Sequence, residues 1–371
     1  MKRILQVVGT MDRAGAETMV MNLYRAIDRT QYQFDFVYFT ERSCSYDDEI
    51  LSLGGKVYRI SEKDSKNPIA RTYQLYKIIK KNKPFHAVHC HQLLANSFHL
   101  TAGYIGGIKR RLVHAHSTQD FNSKSVIRSL YQKISKLVIS ILATDFIACG
   151  KEAGDFLFPN KYKDIIFIPN AIDVHKFLKA GDLKKNIEYF NNNKINNETL
   201  ILCQIGRFMP VKNHIFSVNF ALFLKEKGLD FHMLFVGGGY LEDEIKELVN
   251  SNELGNNITF LGVRKDIDII LSNSDVLLMP SLYEGFPVIL VESQAVGTPA
   301  LISEGISNEV DLGLNLVKFC SLNQLSDVWY DALISLINNE KFSSKIRHNV
   351  LKQKGFDIEV SVKKLEKIYN K

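Results

Sequence analysis

Hydrophobic residues along the chain follow two alternating patterns. Short apolar runs typical of buried strands are separated by stretches with apolar residues at helical spacing, such as residues 16–27. This alternation predicts parallel sheets with helical crossovers, in which ligand-binding loops follow the carboxyl ends of the strands. The predicted strands are residues 3–9, 34–40, 56–60, 87–91, 111–117, 145–150, 165–173, 200–206, 232–239, 258–262, 276–280 and 299–303.

A polar, asparagine-rich segment interrupts the alternation at about residues 179–198. It has little to bury, which is typical of a connection between folded units. We therefore expect an α/β protein of two domains, residues 1–178 and residues 179–356. The terminal stretch 357–371 predicts an amphipathic helix that packs back on the N-terminal domain.

The composition fits a folded protein large enough for two cores, with 371 residues of which 46% are hydrophobic. No apolar run reaches the roughly 18 residues of a membrane-spanning helix. The N-terminal sequence MKRILQVVGT predicts a first strand and not a secretion signal. The five cysteines form no C-x-x-C pair, which favours a cytoplasmic location.

Positive charge is concentrated in the first half of the chain. Residues 1–180 contain 27 Lys/Arg and 16 Asp/Glu, a balance of +11, whereas the remainder has a balance of −4. This asymmetry predicts either an anionic partner or a solvated basic face without one. Segments 71–83 and 124–142 mix cations, aromatics and aliphatics at helical spacing, which favours either an anionic membrane surface or ordinary packing on the sheet. No recognisable module indicates a nucleic-acid partner.

The segment EGFPVILVE places Glu284 and Glu292 at either end of an apolar run. Pro287 suits the first turn of a helix, and Gly297 ends that helix. Glu292 is then expected one to two turns inside the helix, and backbone amides near its start suit a phosphate or polyhydroxy ligand. Carboxylates accept hydrogen bonds from sugar hydroxyls. The alternative is two solvent-facing glutamates.

The segment QIGRFMPVKNH follows a predicted strand. Gly206 permits close approach, while Arg207 and Lys212 provide cations for a diphosphate. The alternative is ordinary surface charge. Two glycine-rich turns, 236–239 and 9–15, each follow a strand but lack G-x-G-x-x-G, which argues against a nicotinamide enzyme.

The motifs IPNAID, IGRF…KNH, VGGG, FLG and EGFP…E occur in this order. Together they resemble the motif series of family-4 glycosyltransferases, especially bacterial enzymes that build exopolysaccharide or capsule chains. The resemblance covers nearly the whole chain, although Ala171 stands where that family has glycine. It implies the GT-B fold, with two Rossmann-like domains facing a cleft.

The resemblance also implies roles for individual residues. Arg207 and Lys212 would hold the diphosphate, Glu292 would lie near the ribose, and His116 would contact the donor sugar. Glu284 and the following backbone would hold the transferred sugar. The implied catalytic set is Arg207, Lys212, Glu284 and His116, and the implied donor-binding set is Gly15, Ala16, Gly206, Gly238, Arg264, Gly285, Phe286, Pro287 and Glu292.

By this resemblance the activity is retaining transfer of a hexose-type sugar from a nucleotide-diphosphate donor, with UDP expected, to a glycan or polyprenyl-linked acceptor in cell-surface polysaccharide synthesis. The enzyme would be cytoplasmic and peripheral on the inner face of the membrane. Two alternatives remain open: a sugar-nucleotide 2-epimerase of the same fold, and a catalytically silent sugar-nucleotide-binding subunit of a polysaccharide assembly.

Two His-x-His pairs, residues 89–91 and 114–116, each direct both imidazoles to one side of a strand. Such a pair can bind zinc, but neither has an acidic or cysteine partner at a recognisable spacing. Asp266 and Asp268 form a D-x-D, for which helix capping is the favoured interpretation. We therefore expect no metal and no cofactor other than the nucleotide-sugar co-substrate.

Overall fold

The computed structural model describes residues 1–12, 15–117, 125–159, 161–183, 186, 190, 195–196, 198–324 and 326–371, without the side chain of Tyr162. Parts of the polar segment 179–198 lie outside the described residues. The chain divides into two compact units, one of Met1–Ile172 with Gly355–Lys371 and one of Asp173–Lys354.

The predicted boundary after residue 178 falls inside a helix, Val174–Gly181, whose buried side includes Phe177 and Leu178. This helix packs within the second unit, so the division comes six residues earlier than expected.

The first unit is built on a parallel sheet of seven strands in the order β3-β2-β1-β4-β5-β6-β7. Apolar residues of the strands fill the core on both faces of the sheet, as is typical of parallel sheets covered by helices. The strands are β1 (Lys2–Val7), β2 (Tyr32–Tyr38), β3 (Val57–Arg59), β4 (Ala87–Cys90), β5 (Arg110–Ala115), β6 (Asp145–Ala148) and β7 (Ile165–Phe167).

Helices connect the strands of the first unit. Pro68 occupies the first position of α4, and Asn67 caps it by accepting from the backbone amides of Ile69 and Ala70. The helices are α1 (Gly15–Ala26), α2 (Asp47–Ser52), α3 (Glu62–Lys66), α4 (Pro68–Lys81), α5 (Asn96–Ile105), α6 (Val126–Leu142), α7 (Lys151–Leu157) and the C-terminal α15 (Ile358–Asn370).

The C-terminal helix belongs to the first unit, where α15 packs against α1. Leu365 and Tyr369 are fully buried in the same core as β1 and β2. The Tyr369 hydroxyl accepts a hydrogen bond from Gln6 Nε2 at 3.3 Å, so α15 contacts the polar interior as well as the apolar core.

The second unit is a parallel sheet of six strands in the order β10-β9-β8-β11-β12-β13. The strands are β8 (Leu200–Ile205), β9 (Phe231–Val236), β10 (Ile258–Gly262), β11 (Val276–Met279), β12 (Ala300–Ser303) and β13 (Val317–Cys320). The helices are α8 (Val174–Gly181), α9 (His214–Glu226), α10 (Glu242–Ser251), α11 (Ile267–Ser272), α12 (Ile289–Val296), α13 (Ser326–Ile337) and α14 (Ser344–Gln353). The predicted α/β class with two parallel sheets is confirmed, and both sheets contain the strand order of a Rossmann-like unit.

Candidate active site

The strand order of the second sheet reverses between β8 and β11, which are hydrogen-bonded neighbours. Loops leaving the carboxyl ends of two such strands diverge to opposite faces and open a crevice between them. The loop after β8 carries Arg207 and Lys212, and the loop after β11 carries Glu284. Topology therefore brings together two motifs that lie about 75 residues apart in the sequence.

Lys212 and Glu284 form an ion pair at this position. Lys212 Nζ lies 2.7 Å from Glu284 Oε1, and each side chain is 17% exposed. The Ser281 hydroxyl donates to the same carboxylate oxygen at 2.6 Å, and Gln204 Nε2 donates to the Lys212 carbonyl at 2.8 Å. Both charges are thus held in a fixed geometry and remain partly accessible to a ligand.

Arg207 lies at the carboxyl end of β8 with an exposed side chain. Its guanidinium has no hydrogen-bond or ion-pair partner among the described residues. Gly206 lies directly before it, and a Cβ atom there would lie 3.0 Å from Lys212 Cε. Glycine at this position therefore leaves room for the lysine stem that reaches Glu284.

The glycine-rich loop after β9 packs backbone to backbone on the loop after β8. The Phe208 amide donates to the Gly238 carbonyl at 3.1 Å, and a Cβ atom on Gly237 or Gly239 would overlap the backbone of residues 206 and 208, respectively. The sequence therefore needs these glycines for close approach between two loops. Gly238, predicted to bind the donor, is the member of the loop whose carbonyl oxygen accepts this hydrogen bond.

Glu284 is held by backbone contacts to a loop that the sequence did not single out. Its amide donates to the Gly305 carbonyl at 3.0 Å, and its carbonyl accepts from the Ser307 amide at 3.2 Å. A Cβ atom on Gly305 would overlap the Leu282 carbonyl oxygen. A glycine two residues after the predicted strand 299–303 was the available signal for this support.

Helix α12 begins two residues later than predicted. The Leu290 amide donates to the Pro287 carbonyl at 3.1 Å, which forms a tight turn ahead of the α-helix and leaves Pro287 outside the first helical turn. The backbone amides of Gly285 and Val288 have no acceptor among the described residues. These amides lie one and four residues after Glu284 and precede α12, at the positive end of the helix dipole.

Glu292 lies in the first turn of α12, not one to two turns along it. Burial raises the pKa of its carboxyl to about 7, Asp268 adds to the rise, and Lys176 opposes it. Lys176 Nζ itself lies 2.7 Å from Asp268 Oδ1. Glu292 therefore exchanges a proton close to neutral pH and can either donate or accept a hydrogen bond.

Arg264 forms a bidentate pair with Asp266, with Nε–Oδ1 and Nη2–Oδ2 distances of 2.9 and 2.6 Å. The predicted capping role of Asp266 is wrong, because its side chain makes no cap hydrogen bond to α11 although it occupies the N-cap position. Asp268 is inside α11 and pairs with Lys176. The two aspartates of the D-x-D thus have separate cationic partners.

In the first unit, the predicted residues follow the carboxyl ends of β1 and β5. Gly15 and Ala16 are the first residues of α1, and His116 comes directly after β5. The residues before Gly15, 13 and 14, lie outside the described part of the chain. The sheet order reverses between β1 and β4, which places these loops near the switch point of this sheet as well.

Four histidines from β4 and β5 and the residues that follow them form a network of mutual contacts, with His89 and His114 buried and the other two half-buried. The sequence alone indicates two separate pairs. His91 Nδ1 lies 2.9 Å from His116 Nε2, and His91 Nε2 lies 2.8 Å from Gln6 Oε1. Because Gln6 Oε1 only accepts, His91 Nε2 carries the proton and His91 Nδ1 accepts from His116 Nε2–H. His116 Nδ1 is then left with a lone pair, and it has no partner among the described residues.

Burial keeps the four imidazoles neutral. It lowers the pKa of His116 to about 4, and it lowers the pKa of His89, His91 and His114 well below the usual value with help from their neighbours. Ligating nitrogens of His89, His91 and His114 lie within 4.8 Å of one another, so a metal could find nitrogen ligands here. The rings of His89 and His114 are nearly parallel, with an interplanar angle of 6° and centroids 5.5 Å apart.

Two family models match the chain. The model of Glycosyltransferase Family 4 matches residues 13–176, and the model of Glycosyl transferases group 1 matches residues 185–353. The chain is 36% identical to EpsF of Bacillus subtilis (strain 168), whose name classes it as a glycosyltransferase, over 100% of this chain and 96% of that protein.

Two further proteins extend the comparison. The chain is 28% identical to the UDP-Gal:alpha-D-GlcNAc-diphosphoundecaprenol alpha-1,3-galactosyltransferase of Escherichia coli, over 83% of this chain and 79% of that protein. The fold of the present chain is similar to that of HepE from Anabaena, which was solved in complex with UDP and glucose. The TM-score is 0.77 at 14% identity, with full coverage of both chains. The sequence and fold thus place this chain among the glycosyltransferases of family 4 and group 1, a family with the GT-B fold.

Proposed function

We propose that the protein transfers a hexose-type sugar from a nucleotide-diphosphate donor to a glycan or polyprenyl-linked acceptor in bacterial cell-surface polysaccharide synthesis. The observation that carries this proposal is the Lys212–Glu284 pair at the switch point of the second sheet, beside the exposed Arg207. A diphosphate needs cations, and a sugar needs hydroxyl acceptors. Both groups occur here near backbone amides that have no acceptor among the residues the structure describes.

In this proposal, the cations stabilise the leaving diphosphate. When the bond between the anomeric carbon and the phosphate oxygen breaks, negative charge grows on the phosphate. Lys212, held by Glu284, and Arg207 offset that charge, and the amides of Gly285 and Val288 add uncharged donors. Glu284 keeps a second carboxylate oxygen for a sugar hydroxyl, because Lys212 and Ser281 both bind Oε1.

We propose retention of the anomeric configuration, which the family resemblance implies. We propose that the acceptor hydroxyl attacks from the face that the diphosphate leaves, and that the leaving phosphate takes its proton. We propose that the imidazole of His116 contacts the donor sugar, as the family resemblance implies. No metal takes part in these steps, so transfer is expected to proceed in the presence of a chelator.

The nature of the two substrates rests on the relatives. The name of the Escherichia coli relative gives UDP-galactose as donor and a diphosphoundecaprenol-linked sugar as acceptor, and HepE was solved with UDP. We therefore propose UDP as the nucleotide and a lipid-linked glycan as the acceptor.

A thermal-shift screen of UDP, GDP, ADP and TDP and their sugars tests the donor site. A ligand that binds the folded state at 100 times its Kd stabilises it by about 2.7 kcal/mol. We expect the largest shift with UDP and UDP-sugars, a smaller shift in Lys212→Ala, and no change from wild type in Lys225→Ala, an exposed lysine of α9. No shift with any nucleotide would contradict the proposal.

The transfer step needs its own assay, in which UDP release is measured with and without a lipid-linked glycan. A transferase releases UDP together with a longer glycan only when the acceptor is present. Conversion of the sugar nucleotide without an acceptor would instead identify an epimerase, and nucleotide binding without either reaction would identify a silent subunit.

A further inference from the structure

Helix α6 exposes an apolar face to solvent. Six large aliphatic side chains on it are between 52% and 87% exposed: Val126, Ile127, Leu130, Ile134, Leu137 and Ile141. At 100° per residue they fall within an arc of about 100° on one side of the helix. The buried residues of α6, Ser135 and Ile139, lie on the opposite side. The helix therefore has its strongest apolar stripe facing away from the core.

The polar residues of α6 are basic or uncharged. The helix contains Arg128, Lys133 and Lys136 and no acidic residue. Lys133 is exposed, and on the helical wheel it lies at the edge of the apolar arc. The helix thus combines an aliphatic stripe of about 25 Å with adjoining positive charge.

Neighbouring helices extend this surface. Helix α5 packs between α4 and α6 and exposes Tyr104 and Ile105 at its carboxyl end. Helix α4 exposes Ile69 and Tyr73, while its Leu75 and Ile79 are fully buried. The aliphatic residues of α4 thus serve largely the core, whereas those of α6 do not.

We propose that the exposed face of α6 lies in the interface of an anionic lipid bilayer, with α4 and α5 supplying flanking contacts. The aliphatic stripe enters the boundary between headgroups and acyl chains, and Lys133 stays among the lipid phosphates. A symmetric dimer formed through α6 is disfavoured, because it would place two cationic helices against each other with no anion between them. Helix α6 carries three cations along its 17 residues, which suits a helix that lies in the plane of the membrane. This inference does not depend on the glycosyl-transfer proposal.

Vesicle flotation tests the inference with the full-length protein. The test variant is Ile127→Ser/Leu130→Ser/Ile141→Ser, and the matched control is Ile215→Ser/Val328→Ser/Ile346→Ser, which removes three exposed aliphatics from the second unit. We expect at least tenfold stronger partition into phosphatidylglycerol vesicles than into phosphatidylcholine vesicles. The test variant should lose at least tenfold of this partition, and the control should keep it.

Two further measurements keep the result interpretable. Leu130→Ser alone, at an exposed site, replaces the triple variant if circular dichroism shows that the triple variant is unfolded, and it should weaken partition by at least threefold. Light scattering after gel filtration reports the oligomeric state. Equal partition of wild type and α6 variants would overturn the inference, as would no binding to anionic vesicles or a wild-type dimer that the α6 variants convert to monomers.

Discussion

Replacing Lys212 and Glu284 separately and together tests the central ion pair of the second unit. The pair has a 2.7 Å contact and two side chains that are each 17% exposed, so solvent screens it only partly. Lys212→Met keeps the aliphatic stem and leaves the Glu284 carboxylate without its cation. Glu284→Gln keeps the shape and removes the charge.

For stability, a hydrogen bond to a charged group contributes about 1.5–3 kcal/mol, and partial exposure favours the lower end. We expect each single substitution to lower the free energy of unfolding by about 1–2 kcal/mol. The double variant should lose less than the sum of the singles, because neither partner is left alone, which gives a coupling of at least about 0.5 kcal/mol. Urea unfolding of the four proteins measures this cycle.

For activity, Lys212→Met removes a charge-assisted donor to the leaving diphosphate. Such a donor is worth about 2.7–4 kcal/mol in the transition state, or about 10²–10³-fold in turnover. Arg207→Ala should lower turnover to a similar extent while leaving the free energy of unfolding within about 0.5 kcal/mol, because Arg207 is exposed. The turnover of both variants is measured as UDP release at saturating donor. Turnover within threefold of wild type for both variants, or additive stability losses in the cycle, would refute the reasoning.

Further predictions concern single positions. Burial raises the pKa of Glu292 to about 7, so between about pH 4.5 and 7 the folded state holds a proton that the unfolded state has lost. As the pH rises through this range, the free energy of unfolding of wild type should fall relative to that of Glu292→Gln. Parallel pH curves for the two proteins would contradict this. Gly305→Ala should lower the free energy of unfolding, measured in urea, by about 1–3 kcal/mol, because the new methyl group overlaps the Leu282 carbonyl. Gly15→Ala, whose methyl group would have no atom within 4 Å, should change that free energy by less than about 0.5 kcal/mol. His91→Phe should lower kcat more than it changes the donor KM, because His116 loses its acceptor; an unchanged kcat would exclude a positioning role. Chelator treatment should leave turnover unchanged, and loss of activity restored by a divalent metal would contradict the metal-free proposal.

Local patterns were sufficient to predict the alternation of strands and helices and the fold class. They failed where distant residues decide the outcome. Strand β13 was missed, because Val317–Cys320 is a short edge strand whose side chains are mostly not fully buried and whose identity depends on pairing with β12. Helix α8 was divided by the predicted domain boundary, because its packing on α12 and α11 is not visible in its own sequence.

The candidate site was likewise predictable from local patterns only in part. The motifs around Arg207 and Glu284 were found from glycines and charges near predicted strand ends, and the parallel topology explains why they meet. The Gly305 support left only a glycine after a predicted strand as a signal, and the Ser281 contact depends on the conformation of the loop after β11. The histidine network depends on the register between neighbouring strands, which local sequence patterns do not give. In the network, the β4–β5 register sets Cys90 beside Val113, which brings the two His-x-His pairs together.

The packing of α15 on the first unit has a consequence for synthesis. Tyr369 and Leu365 complete a core that also contains residues of β1 and β2, which are synthesised before the second unit. The whole second unit lies between them in the chain. During synthesis, the first unit can therefore be completed only after the second unit has emerged from the ribosome, and the second unit is free to fold first. A nascent chain arrested before residue 358 would expose the apolar groove that α15 later fills.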